Sequence, residues 1–310
     1  MTFTIDDPQI GPPESSVGYF RSREAFTAFE DVYSSGLAAL PPAHSRVAPT
    51  PFGRVAAHRF EAQPGADPAA APLVLLAGRM ASTPMWRANL PALTRDRTVW
   101  SLDSLGEPGA STQTAPIRTP DDQTAWVDAA LAALELDTVH LMGVSIGGWL
   151  TLQVAIRRPG RVASAIVLDP MATFAPIGWK MIVVSLGSVV PGMPTRLRDR
   201  LLSWTAGGAS TGDVPEARLI AAGMAGYAGR LPLPTRPTSA ELAGLTVPTL
   251  ALLAGRTIAH SPRTAMSTAR TVPNVEAELW PQATHAINGE YPEELAARVN
   301  RFVASRARWS

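Results

Sequence analysis

The chain has 310 residues, of which 46% are hydrophobic and 17% charged, so a sizeable core is available and global disorder is excluded. A net charge of +1 with no run of like charges argues against nucleic acid or an anionic membrane as the main partner. The absence of cysteine excludes disulfides, thiolate zinc sites and a cysteine nucleophile.

Residues 1–7 lack a basic segment followed by an apolar run, so no signal peptide is expected. The longest apolar stretch, 181–190, is interrupted by Ser185, Gly187 and Ser188 and is too short to span a bilayer. The expectation is a soluble, cytoplasmic protein without membrane insertion. Proline and glycine in residues 1–18 suggest a loose arm. Phe26, Phe29, Val32, Tyr33, Leu37 and Leu40 then recur at helical spacing until Pro41-Pro42 stops the pattern. Residues 1–45 therefore read as an arm and a helix preceding the main domain.

A small β-hairpin is predicted over 52–60, and the Ala-, Pro- and Gly-rich stretch 64–72 reads as a surface loop. Strand and helix patterns alternate from there: strands over 73–76, 98–102, 138–142 and 162–168, and helices over 86–94, 121–134 and 146–158. The strands are apolar without alternation, which predicts a mostly parallel sheet covered by helices on both faces. The rhythm breaks over 171–245, which reads as an inserted, mainly helical cap. It resumes with a strand over 247–253, a helix over 262–269, a strand over 275–280 and a last helix over 292–303. Residues 46–170 and 246–310 are thus expected to form one core.

The most informative segment is Gly143-Val144-Ser145-Ile146-Gly147, lying between an apolar strand and a helix. The pentapeptide alone is a weak signal, but strand, G-x-S-x-G and helix in that order describe a sharp turn that presents a serine hydroxyl above a parallel sheet. A serine hydroxyl needs a base within hydrogen-bond reach, itself oriented by a third group. Of five histidines, His44, His58 and His140 precede the serine, and His260 and His285 follow it. His285 falls just after the last strand, at the carboxyl end where open α/β sheets build their sites, and is the expected base. His260 reads as structural or substrate-facing.

With these residues the chain resembles the α/β-hydrolase-fold serine hydrolases over about residues 50–305, carboxylesterase-like and with a helical cap. The segment Leu75-Leu76-Ala77-Gly78-Arg79-Met80-Ala81-Ser82 is similar to the family's oxyanion-hole loop, except that Ala77 stands where histidine is usual. The implied oxyanion donors are the backbone amides of Arg79 and Ile146. The segment from Asp103 to Ser111 is similar to the family's structural turn after the next strand.

Most members carry the acid after the strand corresponding to 247–253, yet Ala254-Gly255-Arg256-Thr257-Ile258-Ala259-His260-Ser261 contains no carboxylate. Glu241 and Glu276 lie on the wrong sides of neighbouring elements. Asp169, at the end of the preceding strand, is the expected acid, with Asp103 explained by its turn. Met80, Trp179 and Trp204 are candidate substrate-binding residues. The implied reaction is hydrolysis of a carboxylic ester or lactone of a small to medium apolar substrate through an acyl-enzyme on Ser145. A thioesterase or C–C hydrolase on the same triad, and a non-hydrolytic cyclase or pocket protein reusing the fold, stay open. No metal and no organic cofactor is implied. The expected partner is the small-molecule substrate, with homodimerisation left open.

Overall fold

In the computed structural model of the chain, the described residues are 5, 8–188, 203 and 214–306. Nine strands form the main sheet: β2 (Ala43–Thr50), β3 (Gly53–Phe60), β4 (Leu73–Leu76), β5 (Val99–Leu102), β6 (Thr112–Gln113), β7 (Val139–Val144), β8 (Val162–Leu168), β10 (Thr249–Ala254) and β11 (Val275–Trp280). Two further strands, β1 (Tyr19–Phe20) and β9 (Tyr227–Ala228), pair antiparallel in a separate ribbon.

The main sheet runs β11-β10-β8-β7-β4-β5-β3-β2, with β6 on β3. The six strands from β11 to β5 are mutually parallel, and β3 and β2 add antiparallel. The parallel strands other than the edge strand β11 are buried on both faces because alternate side chains enter two different cores. Val74, Leu76, Leu141, Val167, Ala251 and Leu253 pack with the helices Pro120–Ala133, Ile146–Arg157 and Pro262–Ala269. Leu73, Leu75, Met142, Ile166, Leu250 and Leu252 pack with the short helix Leu90–Leu93 and the last helix, Pro292–Arg306.

Two local expectations differ from the structure. The hairpin is larger than predicted, because Ala43–Thr50 pairs along its whole length with Gly53–Phe60. That partner is an edge strand, exposed along most of its length and containing Pro49, so it lacks the apolar run that marks a strand in sequence. The helix expected over 86–94 is instead a 3₁₀ turn, Thr83–Trp86, followed by the single-turn helix Leu90–Leu93. Pro84 and Pro91 each open one of the two pieces and so divide the segment.

The N-terminal helix, Arg23–Ala38, is capped by Ser22, whose hydroxyl accepts from the Ala25 amide. It buries Phe26, Phe29 and Tyr33 in a third cluster with Phe20, Met80, Leu219 and Tyr227. The chain between β8 and β10 leaves the sheet and contributes the helices Trp179–Ser188, Pro215–Gly226 and Ser239–Ala243. The second of these packs on the N-terminal helix, so that the segment before the sheet and the segment inserted into it share one core. Among the described residues no helix is long and apolar enough to cross a membrane.

Candidate active site

Sheet register brings the polar residues together. Val144 pairs with Leu168 and Leu168 with Leu252, so the residues that follow them emerge side by side at one rim. The residue after Val144 is Ser145, the residue after Leu168 is Asp169, and Ala254 lies two beyond Leu252. The Ser145 amide donates to Leu168 O (2.9 Å) and the Asp169 amide to Leu252 O (2.8 Å), locking the three strand ends to one another.

Ser145 adopts φ 58° and ψ −117°, a conformation costly for a side-chain-bearing residue and retained here by its surroundings. Two glycines make this turn sterically feasible. A Cβ on Gly143 would lie 2.2 Å from Gly147 O, and one on Gly147 would lie 2.2 Å from Leu76 O. The helix Ile146–Arg157 starts immediately after the serine and points its N-terminus at the site.

Ser145 Oγ lies 2.9 Å from His285 Nε2, and His285 Nδ1 lies 2.6 Å from Asp169 Oδ2. His285 sits between β11 and the helix Ile287–Glu290. Its loop is fastened by Thr284, whose amide and hydroxyl donate to Glu290, and by the Arg256 amide, which donates to Ala283 O. Asp169 is wholly buried, which by itself would raise its pKa. The imidazoles of His260 and His285 outweigh burial and hold the carboxyl well below its ordinary range. An ionised carboxylate only accepts, so His285 Nδ1 carries the hydrogen and Nε2 is free to accept from the serine hydroxyl.

The turn after β10, which holds no carboxylate, serves the one on β8. The Ala254 amide donates to Asp169 Oδ1 (3.0 Å) and the Thr257 hydroxyl to Oδ2 (2.5 Å). His260 Nε2 lies 3.0 Å from Oδ1, with its side chain 1% exposed. Sequence reasoning missed both Thr257 and His260 as partners of the acid. Their signal was composition: a turn emptied of its carboxylate but supplied with a hydroxyl and an imidazole.

The loop after β4 stands against the elbow, since a Cβ on Gly78 would lie 3.7 Å from Ser145 Cβ. Within it the Gly78 amide points at Met85 Sδ (3.3 Å), the Met80 amide donates to Glu107 Oε2 (2.9 Å) and the Ala81 amide donates to Gly78 O (3.3 Å). Among the described residues no acceptor faces the amides of Arg79 or Ile146. Glu107, which sequence reasoning also missed, is buried, and burial raises its pKa against the opposing pull of Arg79 and the Met80 amide. Arg79 Nη1 is 3.7 Å from its other oxygen. Asp103 anchors the same loop further on, accepting from the Thr83 amide and hydroxyl, the Ala110 amide and the Tyr33 hydroxyl.

Of the residues expected to touch substrate, Met80 has φ 56° and its side chain is buried in the cluster around Phe20 and Tyr33. Trp179 is 70% exposed with the Lys180 ammonium 5.8 Å from its ring centroid, and Trp204 lies outside the described residues. Among the described residues no group of three or more histidine and carboxylate side chains is arranged to hold a metal ion.

The chain is similar to known proteins in sequence and in fold. The family model for the alpha/beta hydrolase fold matches residues 71–195. Carboxylesterase YbfK of Bacillus subtilis is 27% identical over 293 residues, 92% of this chain and 96% of that protein. The carboxylesterase nap of the same organism is 29% identical over 242 residues, 75% of this chain and 79% of that protein. The crystal structure of naproxen esterase from Bacillus subtilis superposes with a TM-score of 0.80 at 26% identity, covering 89% of this chain and 97% of that one. This chain has the α/β-hydrolase fold and is carboxylesterase-like.

Proposed function

We propose that this α/β-hydrolase cleaves a carboxylic ester or lactone of a small to medium apolar substrate through an acyl-enzyme on Ser145. The observation that carries the reading is the unbroken line from Ser145 Oγ through His285 to Asp169, on an elbow whose backbone is strained. His285 Nε2 takes the serine proton as Oγ attacks the ester carbon. The resulting imidazolium is stabilised by Asp169, and the same proton passes to the departing alkoxide. Water, deprotonated by His285, then attacks the acyl-enzyme, releases the acid and restores the serine.

The amides of Arg79 and Ile146 receive the oxyanion in both tetrahedral stages, each contributing about 3 kcal/mol. The N-terminal end of the helix Ile146–Arg157 favours the same negative charge. Trp179, exposed on the inserted segment, offers apolar surface to the remainder of the substrate. The carboxylesterase relatives support the ester as the bond broken.

The test is turnover on a panel of p-nitrophenyl esters of increasing acyl length, lactones, thioesters and β-diketones, each run with Ser145→Ala as control. Ester or lactone turnover that disappears in the variant is expected. Turnover confined to thioesters or to C–C cleavage would move the enzyme to another reaction on the same residues, and no serine-dependent turnover would leave a non-hydrolytic protein.

A further inference from the structure

An ionised carboxylate offers about four lone-pair positions, and a buried one needs them satisfied. Asp169 has a group at each: the Ala254 amide and His260 on Oδ1, the Thr257 hydroxyl and His285 on Oδ2. Three of these four come from the last residue of β10 and the turn that follows it. The proposed reaction uses only His285, which leaves a second imidazole, buried and at contact distance from the same acid, without a role.

His260 is an expensive residue to keep there. Neither of its ring nitrogens has an aligned hydrogen-bond partner among the described residues, although Nε2 stands 3.0 Å from Oδ1. A buried, unaligned imidazole costs free energy unless charge offsets it, and Asp169 is the carboxylate paired with it among the described residues. Among the described residues its surroundings hold little else that ionises. Arg256 and Arg263, which flank it in sequence, are exposed, Glu290 is taken up by Thr284, and His285 lies across the carboxylate.

We propose that His260 is a positioning residue, which clamps the far oxygen of Asp169 and shares its charge, and so sets the basicity of His285. The inference rests on the reading of Asp169 as the acid of the triad. Held by His260 and Ala254 on one oxygen, the carboxylate cannot rotate away from His285. An imidazole nitrogen 3.0 Å from Oδ1 also draws charge from Oδ2, the oxygen facing His285 Nδ1. Removing it leaves more negative charge beside that nitrogen, which favours the imidazolium.

The test is the pH profile of kcat and kcat/KM for His260→Ala, His260→Leu and His260→Gln on one ester, with folding followed by thermal melt. For Ala and Leu we expect kcat to fall about tenfold or more at its plateau with KM unchanged, and the acid limb of kcat/KM to move up by about half a pH unit or more. Gln, whose amide can still donate to Oδ1, should restore most of both. Should Ala not fold, Leu against Gln carries the comparison. Wild-type kcat and acid limb in the folded Ala or Leu variant, or a change in KM alone, would overturn the proposal. Asp169→Asn run alongside separates the levels. If it keeps turnover the triad reading fails, whereas if it loses turnover while His260→Ala or His260→Leu matches wild type, only the role of His260 fails.

Discussion

Asp169 and Glu107 are two carboxylates buried near the same rim of the sheet, and their pKa values are shifted in opposite directions. Asp169 lies among two imidazoles, a hydroxyl and an amide, and stays ionised despite complete burial. Glu107 has one amide on one oxygen and a partly exposed arginine 3.7 Å from the other, and burial wins. Depth is the same and the donor count differs. Charge at this rim is placed by donors converging from neighbouring strand ends, and only one of the two acids is equipped to stabilise an imidazolium. The other is equipped to hold a backbone turn.

The largest effect should come from neutralising each acid in turn. Asp169→Asn is expected to lower kcat by about 10³–10⁴, because the amide cannot hold the Nδ1–H tautomer or stabilise the cation. Glu107→Gln should stay within a few-fold of wild type, because its carbonyl oxygen still accepts from the Met80 amide. Steady-state kinetics on one ester decides this, and comparable losses in both variants would break the distinction.

Removing the side chain of Glu107 sharpens it. In Glu107→Ala the Met80 amide loses its acceptor and the Arg79 peptide its fixed orientation, so kcat should fall about 10- to 100-fold with little change in KM. A KM effect alone would mean that Glu107 shapes substrate binding instead.

Stability should separate the pair with opposite signs. A depressed carboxyl pKa contributes stability that is present above the unfolded value of about 3.9 and lost as pH falls towards the folded value. A raised one destabilises the fold once pH exceeds the unfolded value of about 4.3. At pH 7, then, Glu107→Gln should melt at or above the wild-type temperature and Asp169→Asn below it. Calorimetric melts showing the reverse order would contradict the assigned states.

The smallest effect lies away from the rim. His140, buried in β7 and bonded to Ser164 Oγ (2.8 Å), has its pKa pulled down to about 4, chiefly by burial and secondarily by Arg97. The unfolded chain takes up that proton near pH 6.5, so stability should decline as pH drops from about 6.5 to 4, by on the order of 3 kcal/mol at most. Denaturant titrations of wild type and His140→Gln across that window should differ in slope, and parallel slopes would remove His140 as the cause.

Much of this was legible in the chain itself. The elbow announced itself because its glycines answer to contacts of about 2 Å that any side chain would violate, and the strands because burial on both faces leaves unbroken apolar runs. Asp169 could be named by elimination, since the following turn held no carboxylate. The donors around it could not. Thr257 and His260 are ordinary loop residues in sequence, and only the register of β8 on β10 carries them to an aspartate more than 80 positions earlier. Glu107 was hidden in the same way, inside a turn that resembles a purely structural motif. The edge strand β2 escaped because an exposed edge places no apolar demand on its residues.

The central claim, that Asp169 activates Ser145 through His285, does not depend on knowing the substrate. Its most direct test is the rate at which a fluorophosphonate labels the protein at pH 7, with the adduct located by peptide mass. The account predicts labelling at Ser145 in the wild type, slowed by orders of magnitude in folded Asp169→Asn. Equal labelling rates in the two proteins, or an adduct on another residue, would contradict it.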